Sequence, residues 1–450
     1  MGKYQNLVDE QRKFFLSNQT KSYDYRIEQL NKLEEAIKRY SSSIDEALMK
    51  DLNKPQAEVE IFETGFALNY LSYVRENLKD WMTLNVMDSS NIFPNSTSTI
   101  YSEPYGVMLI IAPYNYPIML TMLPLIDAIM TGNTAIVKPS ELAPETSKVI
   151  DNLISETFEK KYIALVEGGQ EETTELLSEK LDYIFFTGSP RVAKIIMSEA
   201  SKNLTPITLE LGGKSPAIVI KDTNINEAAK KILWSKLINS GQTCVATDYI
   251  LIDAEIKKEF IKELEKEIIN FYGNDPISSS DYCKIVNKKS FDRLKDLLDN
   301  SNGNIVFGGE FNEKELKISP TIVENVDWSD SLMSQELFGP IIPIIDFNGN
   351  MLEEHVIKPL NVNEKPLALY LYTKDKEVQK KVISQVSFGG GVINGAIAHA
   401  LNLEMPFAGV GNSGLGQYHG KFSFDEFTHK KSVLNLPTDT SFEPFYPPYK

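Results

Sequence analysis

A chain of 450 residues is long enough for two or three compact units at about 150 residues apiece. With 42% hydrophobic and 24% charged residues, 25 glycines and 22 prolines, its composition excludes collagen-like and disordered classes and describes a soluble folded protein. The formal net charge of -16 repels polyanions, and the arginines (Arg12, Arg26, Arg39, Arg75, Arg191 and Arg293) are too scattered to grip nucleic acid or a heavily phosphorylated substrate, so neither is expected.

Two cysteines, Cys244 and Cys283, are too few for a disulfide framework, and with four histidines they show no C-x-x-C or H-x-x-x-H spacing, so no metal site is expected. The N-terminus lacks a long apolar run, and its sixth residue is Asn6 where myristoylation favours Ser or Thr. The proline-rich C-terminus carries no hydrophobic tail or prenylation box. The expectation is a cytoplasmic protein with no membrane anchor.

Residues 1–82 carry apolar positions such as Leu30, Leu33 and Ile37, then Ile44 and Leu48, at three- and four-residue spacing, which predicts packing helices. Residues 83–102 turn to Ser, Thr and Asn around Ile92, Phe93, Ile100 and Tyr101, which predicts short strands in an association element. The apolar stretch 105–130 is broken by Pro113, Pro117 and Pro124 and holds Asn115 at its middle, so it predicts a buried strand and then a buried helix, not a membrane span. The runs 107–113, 134–139, 162–168 and 183–188 alternate with helical stretches, the pattern of a parallel sheet covered on both faces. Beyond Gly212 and Gly213, strands at 216–220, 249–252, 340–345 and 367–373 and helices at 226–238 and 255–271 predict a second unit of the same kind. The expected fold is α/β: two doubly wound α/β domains plus a small β oligomerisation element.

Four motifs carry candidate chemistry. The strand 183–188 runs through Gly188 and Ser189 into a helix opened by Pro190, which is either an ordinary strand-to-helix turn or a pyrophosphate cradle of free backbone N–H groups. Glu210 alternates with Ile207, Leu209 and Leu211 and ends a strand beside two glycines, so it is either a solvated surface carboxylate or a general base. Cys244 lies in a glycine-containing turn, as an inert core thiol or a nucleophile. Gly409, Gly411 and Gly414 spell G-x-G-x-x-G but follow no strand, and the glycine that a phosphate loop ending in Gly213-Lys214-Ser215 needs is Thr208; both read as loops.

LELGGKS (209–215) together with GQTC (241–244) closely resembles the glutamate and cysteine signatures of the NAD(P)-dependent aldehyde dehydrogenase superfamily. The resemblance extends through APYNYP (112–117), IVKPSE (136–141), FTGSP (186–190), QELFGP (335–340) and FAGVGNSGLGQYHG (407–420), and so covers most of the chain. The GQTC form, the VKPSE segment and the late SFGGG and FTHKKS segments look most like the class 3 subgroup. The resemblance implies that residues 1–82 and 103–211 form an NAD(P)-binding domain, 212–412 a catalytic domain, and 83–102 with 413–450 an oligomerisation or bridging element and tail, in a homodimer.

It further implies that Cys244 attacks an aldehyde to form a thiohemiacetal, that Asn115 and the Cys244 N–H hold the oxyanion, and that water activated by Glu210 hydrolyses the resulting thioester. For the cofactor it places Lys138 and Glu141 at the adenosine ribose, Gly188 and Ser189 near the pyrophosphate, Glu336 on the nicotinamide ribose and Phe338 beside that ring, with Leu211 and Ala193 among the contacts. Glu141 favours a free 2′-hydroxyl while Lys138 tolerates a 2′-phosphate, so NAD is expected and NADP use stays open. The chain departs from the family pattern at Ala193, where a second glycine is usual, and at Tyr114, where many members have Trp; the latter change is expected to alter the aldehyde pocket. Cys283 is expected to be a bystander. The substrate implied is an unphosphorylated medium- or long-chain aliphatic or aromatic aldehyde. A CoA-acylating dehydrogenase and a non-catalytic NAD-binding homologue are the alternatives; Glu210 argues against the first and Cys244 against the second.

Overall fold

Four helices open the chain, Gln5–Leu16, Tyr23–Leu52, Gln56–Phe62 and Thr64–Trp81. They are seen in a computed structural model that describes residues 2–88 and 91–449, so positions 1, 89, 90 and 450 of the expected elements lie outside the described residues. Ser22 caps the longest helix by accepting from the Tyr25 N–H, and Asn53 ends it in the left-handed conformation. Leu30, Leu33, Ile37, Ile44 and Leu48, the residues of the sequence periodicity, are fully buried.

The first sheet has six strands in the order Gly414–Leu415, Ile207–Glu210, Tyr183–Thr187, Val107–Ile111, Thr134–Lys138 and Ile163–Leu165. Its last five strands run parallel, and the earliest of them in the chain, Val107–Ile111, sits between its two successors on one side and the two later ones on the other. The order therefore reverses between Val107–Ile111 and Tyr183–Thr187, and an open parallel sheet has its ligand crevice at such a point, outside the carboxyl ends of the strands. Both strands are buried along their whole length, as unbroken apolar runs require when helices cover both faces. The stretch 105–130 supplies Val107–Ile111 and the buried helix Met119–Thr131. Among the described residues no helix is long and apolar enough to cross a membrane.

The second sheet has seven strands: Asn304–Phe307, Thr321–Glu324, Ile341–Phe347, Tyr249–Asp253, Pro216–Val219, Ala368–Tyr372 and Gly390–Ile393, in that order. Both edges differ from the sequence expectation. Asn304–Phe307 and Gly390–Ile393 are half-exposed, and the latter begins with two glycines, so neither carries the apolar run that marks a central strand.

A three-stranded antiparallel sheet of Asn85–Met87, Thr97–Pro104 and Thr428–Asn435 lies apart from both. The segment from 413 onward reaches it by two steps. Gly414–Leu415 pairs with Glu210 and Leu209 at the edge of the first sheet, and Gly420–Glu426 packs on Thr64–Trp81 and Met119–Thr131. The glycines of the false dinucleotide fingerprint serve close packing: a Cβ at Gly409 would lie 2.0 Å from Ser413 O, and one at Gly414 would lie 2.7 Å from Leu209 O.

Candidate active site

The loops leaving the carboxyl ends of the first sheet converge on a cleft of about 470 Å³. Asn115 follows Val107–Ile111, Glu141 follows Thr134–Lys138, Gly188 and Ser189 follow Tyr183–Thr187, and Leu211 follows Ile207–Glu210; all line the cleft with Lys138, Glu336 and Phe338. A smaller apolar cavity of about 60 Å³ lies behind it, walled by Phe62, Phe66, Leu120, Leu123, Phe407 and Tyr418 among others. Thr187, Glu210 and Cys244 line both. The fold thus joins a cleft of mixed polar and apolar lining and an apolar cavity at a thiol and a carboxyl.

Cys244 is presented by a sharp reversal. The helix Ile225–Leu237 ends in Ile238, and Asn239, Ser240 and Gly241 then take φ values of 49°, 51° and 78°. A Cβ at Gly241 would lie 2.4 Å from Gly339 O, so only glycine fits there. The two non-glycine residues hold their costly conformation through buried hydrogen bonds: Asn239 N–H donates to Glu58 Oε2 at 3.0 Å, and Ser240 Oγ donates to Cys283 O at 2.6 Å. Cys283 is buried with its Sγ 3.8 Å from Glu58, away from both cavities.

Asn115 is tied to the same loop. Its Nδ2 donates to Gln242 O at 3.0 Å, and its carbonyl accepts from Asn239 Nδ2 and Lys54 Nζ, each at 2.8 Å. Lys54 has no solvent exposure; its ammonium also meets Glu63 Oε1 at 2.6 Å and lies 4.0 Å from the centroid of the Tyr116 ring. Glu63 Oε2 in turn accepts from the N–H groups of Ile118 and Met119, where the helix Met119–Thr131 begins. Nothing in the sequence marks the roles of Lys54, Glu58 and Glu63, because charges spaced along helical segments read as surface, and Gln242 enters it only as part of the GQTC motif.

Glu210 overturns its surface reading. It is 2% exposed, and among the described residues neither carboxyl oxygen has a hydrogen-bond partner. From two hundred residues further on, the strand Gly414–Leu415 covers the edge of its strand, and Phe407 and Tyr418 wall the cavity that its side chain lines. Burial, and then the charge of Glu426, raise its pKa well above the usual carboxylate range. Burial first, then Glu336 and Glu210, push the Cys244 thiol up to about 12, so it rests protonated.

The residues of the larger cleft fit a dinucleotide. At Gly188 a Cβ would lie 2.4 Å from the Phe186 ring and at Gly212 the same distance from Glu336 Oε1, so a larger residue at either would displace a side chain of the cleft wall. Ser189 precedes the helix Pro190–Ser201, whose first N–H groups can receive a phosphate. Lys138 is 3% exposed, with Nζ 2.9 Å from Glu141 Oε2. Glu336 accepts from Gly213 N–H at 3.0 Å, and burial pushes its carboxyl up to about 7. Arg293 donates to Glu336 O and Leu337 O, bracing the loop that also carries Phe338. Ala193 stands apart: it does not line the cleft, and its methyl packs in the core between helix and sheet. Tyr114 faces the larger cleft, its ring 6.1 Å from that of Phe338. Arg191 lines the cleft and was assigned no role from sequence.

Residues 3–433 match the model of the aldehyde dehydrogenase family. The chain is 48% identical over 438 residues to the "4,4'-diaponeurosporen-aldehyde dehydrogenase" of Staphylococcus aureus, covering 97% of this chain and 95% of that protein. It is 40% identical to the "Aldehyde dehydrogenase, dimeric NADP-preferring" of Rattus norvegicus, over 100% of this chain and 98% of that one. The solved structure "Substrate bound state of Staphylococcus Aureus AldH" superposes with a TM-score of 0.97 at 45% identity, covering 100% of this chain and 97% of that one. The chain belongs to the aldehyde dehydrogenase family. Within the family it is similar to the class 3 members, and it is an NAD(P)-dependent oxidoreductase that converts aldehydes to acids.

Lys54→Met would leave Glu63 buried without its counter-charge and should lower the unfolding free energy in urea by about 3–5 kcal/mol. A change below about 0.5 kcal/mol, the scale of an ordinary surface substitution, would contradict the role given to this pair.

Proposed function

We propose that Cys244, Glu210 and Asn115 oxidise unphosphorylated, apolar aldehydes of medium or long aliphatic chain, or aromatic ones, to carboxylic acids. The observation that carries this reading is the meeting of the cofactor-sized cleft and the apolar cavity at Cys244 and Glu210. Sγ of Cys244 bonds to the aldehyde carbon, its proton leaves to solvent, and the carbonyl electron pair moves to oxygen. Asn115 has spent one of its two amide protons on Gln242, and the other, with the Cys244 N–H, stabilises that oxyanion. NAD(P)+, when bound, would supply the positive nicotinamide ring that opposes the upward shift of the thiol and would be the acceptor of the aldehyde hydrogen with its electron pair; loss of that hydride would turn the Cys244 adduct into a thioester. Glu210 then takes a proton from water, the water oxygen adds to the thioester carbon, the C–S bond breaks and the acid departs. A carboxyl whose pKa is raised by burial suits that step, since it holds a proton more strongly than an ordinary glutamate.

Lys138 and Glu141 would hold the adenosine ribose, Gly188 and Ser189 the pyrophosphate, and Glu336 the nicotinamide ribose, with Phe338 and Leu211 against the ring end. Arg191 adds a cation at the cleft wall, in keeping with NADP use beside NAD. An apolar substrate is favoured because, apart from Glu210, the cavity wall carries no charged group: burial pushes His419 down to about 3, so it is neutral. The 4,4'-diaponeurosporen-aldehyde in the name of the Staphylococcus aureus relative is one substrate to try. In this reading residues 1–82 and 103–211 bind the cofactor and 212–412 form the catalytic domain. The three-stranded sheet, where Val86, Val433 and Leu434 are exposed, joins two copies in a cytoplasmic homodimer; the rat relative is named dimeric.

Glu210→Gln should retain a burst of about one NADH per site while the steady-state rate falls about 100-fold, because hydrolysis needs the base and acylation does not. Equal loss of burst and steady state would refute the role. Because the raised pKa of Glu210 makes its base form accumulate only above the usual carboxylate range, the wild-type steady-state rate should climb as pH rises beyond that range, with the limb absent from Glu210→Gln. A flat wild-type profile above that range would count against the assignment.

A further inference from the structure

One wall of the apolar cavity is built on a strained turn. Tyr418 and His419 line it beside Phe66 and Phe407, and His419 has a φ of 87°, which residues other than glycine seldom adopt. Such a backbone persists only where its surroundings hold it. Two hydroxyls do so: His419 N–H donates to Ser423 Oγ at 2.7 Å, and Gly420 N–H donates to Tyr70 Oη at 2.8 Å.

Each of these oxygens has accepted a backbone proton, so each hydroxyl must place its own proton elsewhere, and both go to one carboxyl. Ser423 Oγ donates to Asp127 Oδ2 at 2.8 Å, and Tyr70 Oη donates to Asp127 Oδ1. Ionised, Asp127 accepts both, and the chain of donors and acceptors closes. Tyr70, Asp127 and Ser423 have no solvent exposure, and none of them lines either cavity. Burial pushes the Asp127 carboxyl up to about 8, and the two hydroxyls oppose that shift. Tyr70 lies one helical turn after Phe66, and Asp127 one turn after Leu123, so the two helices that wall the cavity also carry the clasp.

We propose that Asp127, acting through Tyr70 and Ser423, is a positioning residue that fixes the Tyr418–His419 wall and thereby sets how the aldehyde chain beyond the carbonyl is gripped. The proposal rests on the reading of the apolar cavity as the aldehyde site. Asp127 touches no reacting atom, so its removal acts on the fit of the chain and not on the thiol or the base. A short aldehyde needs little of that wall; a long one lies along it.

The test compares propanal with decanal in the full-length enzyme. Tyr70→Phe and Ser423→Ala, both near-isosteric, should each raise KM for decanal about tenfold while KM for propanal and the NADH burst change less than about twofold. Because both hydroxyls act through one carboxyl, the double variant should be little worse than either single one, and Asp127→Asn should match it. Leu123→Trp, which fills the cavity directly, is the control on the underlying reading. If Leu123→Trp leaves decanal untouched, the cavity reading falls and the proposal with it. If it excludes decanal while Tyr70→Phe and Ser423→Ala change neither aldehyde, or weaken both equally, the clasp alone is overturned.

Discussion

The structure depends on one ammonium group placed where water cannot reach it. Lys54 sits at the junction of the N-terminal helices, the Asn115 loop and the helix Met119–Thr131, and it satisfies its charge on Glu63, the Asn115 carbonyl and the face of Tyr116. A buried charge is costly unless each of its donors is met, so these segments cannot move independently of one another. The Asn115 carbonyl held by Lys54 is the same oxygen that accepts from Asn239, and Asn239 with Gln242 shapes the reversal that presents Cys244. A single contact chain thus runs from a lysine outside the reaction to the sulfur, and it crosses from the first sheet to the second.

Around the sulfur the electrostatics are arranged against premature ionisation. Glu210 and Glu336 stand close enough to raise the thiol, and burial raises both carboxyls in turn. Burial thus favours the neutral form of the thiol and of both carboxyls. In the proposed mechanism the positive nicotinamide ring of NAD(P)+, held in the adjoining cleft, would oppose the upward shift of the thiol and so couple its activation to cofactor binding. The apolar cavity on the far side of Cys244 lacks charged groups of its own beyond Glu210 and so leaves that balance undisturbed.

The sheets were legible because Val107–Ile111, Tyr183–Thr187 and Tyr249–Asp253 are buried on both faces, and burial on both faces writes an unbroken apolar run into the chain. Gly390–Ile393 was not, since an edge strand packed against His399 through glycine has no such run. Resemblance named Cys244, Glu210 and Asn115, and the residues alone left two of them open. Alternation placed Glu210 opposite its apolar neighbours but could not tell that Phe407 and Tyr418, two hundred residues on, would enclose that side chain in a cavity. Lys54, Glu58 and Glu63 carry no periodic signal that separates a buried charge from a solvated one. Likewise Asn239 and Ser240 give no warning of positive φ, whereas Gly241 does.

The central claim is that Cys244 carries the substrate and water receives it. The most direct measurement is NADH formation with product analysis, in the absence of CoA and phosphate, across an aldehyde chain-length series for the wild type and for Cys244→Ala. The account predicts one free carboxylic acid per NADH in the wild type and neither product from Cys244→Ala. Acid formation that persists without the thiol, or NADH formation that requires CoA, would contradict it.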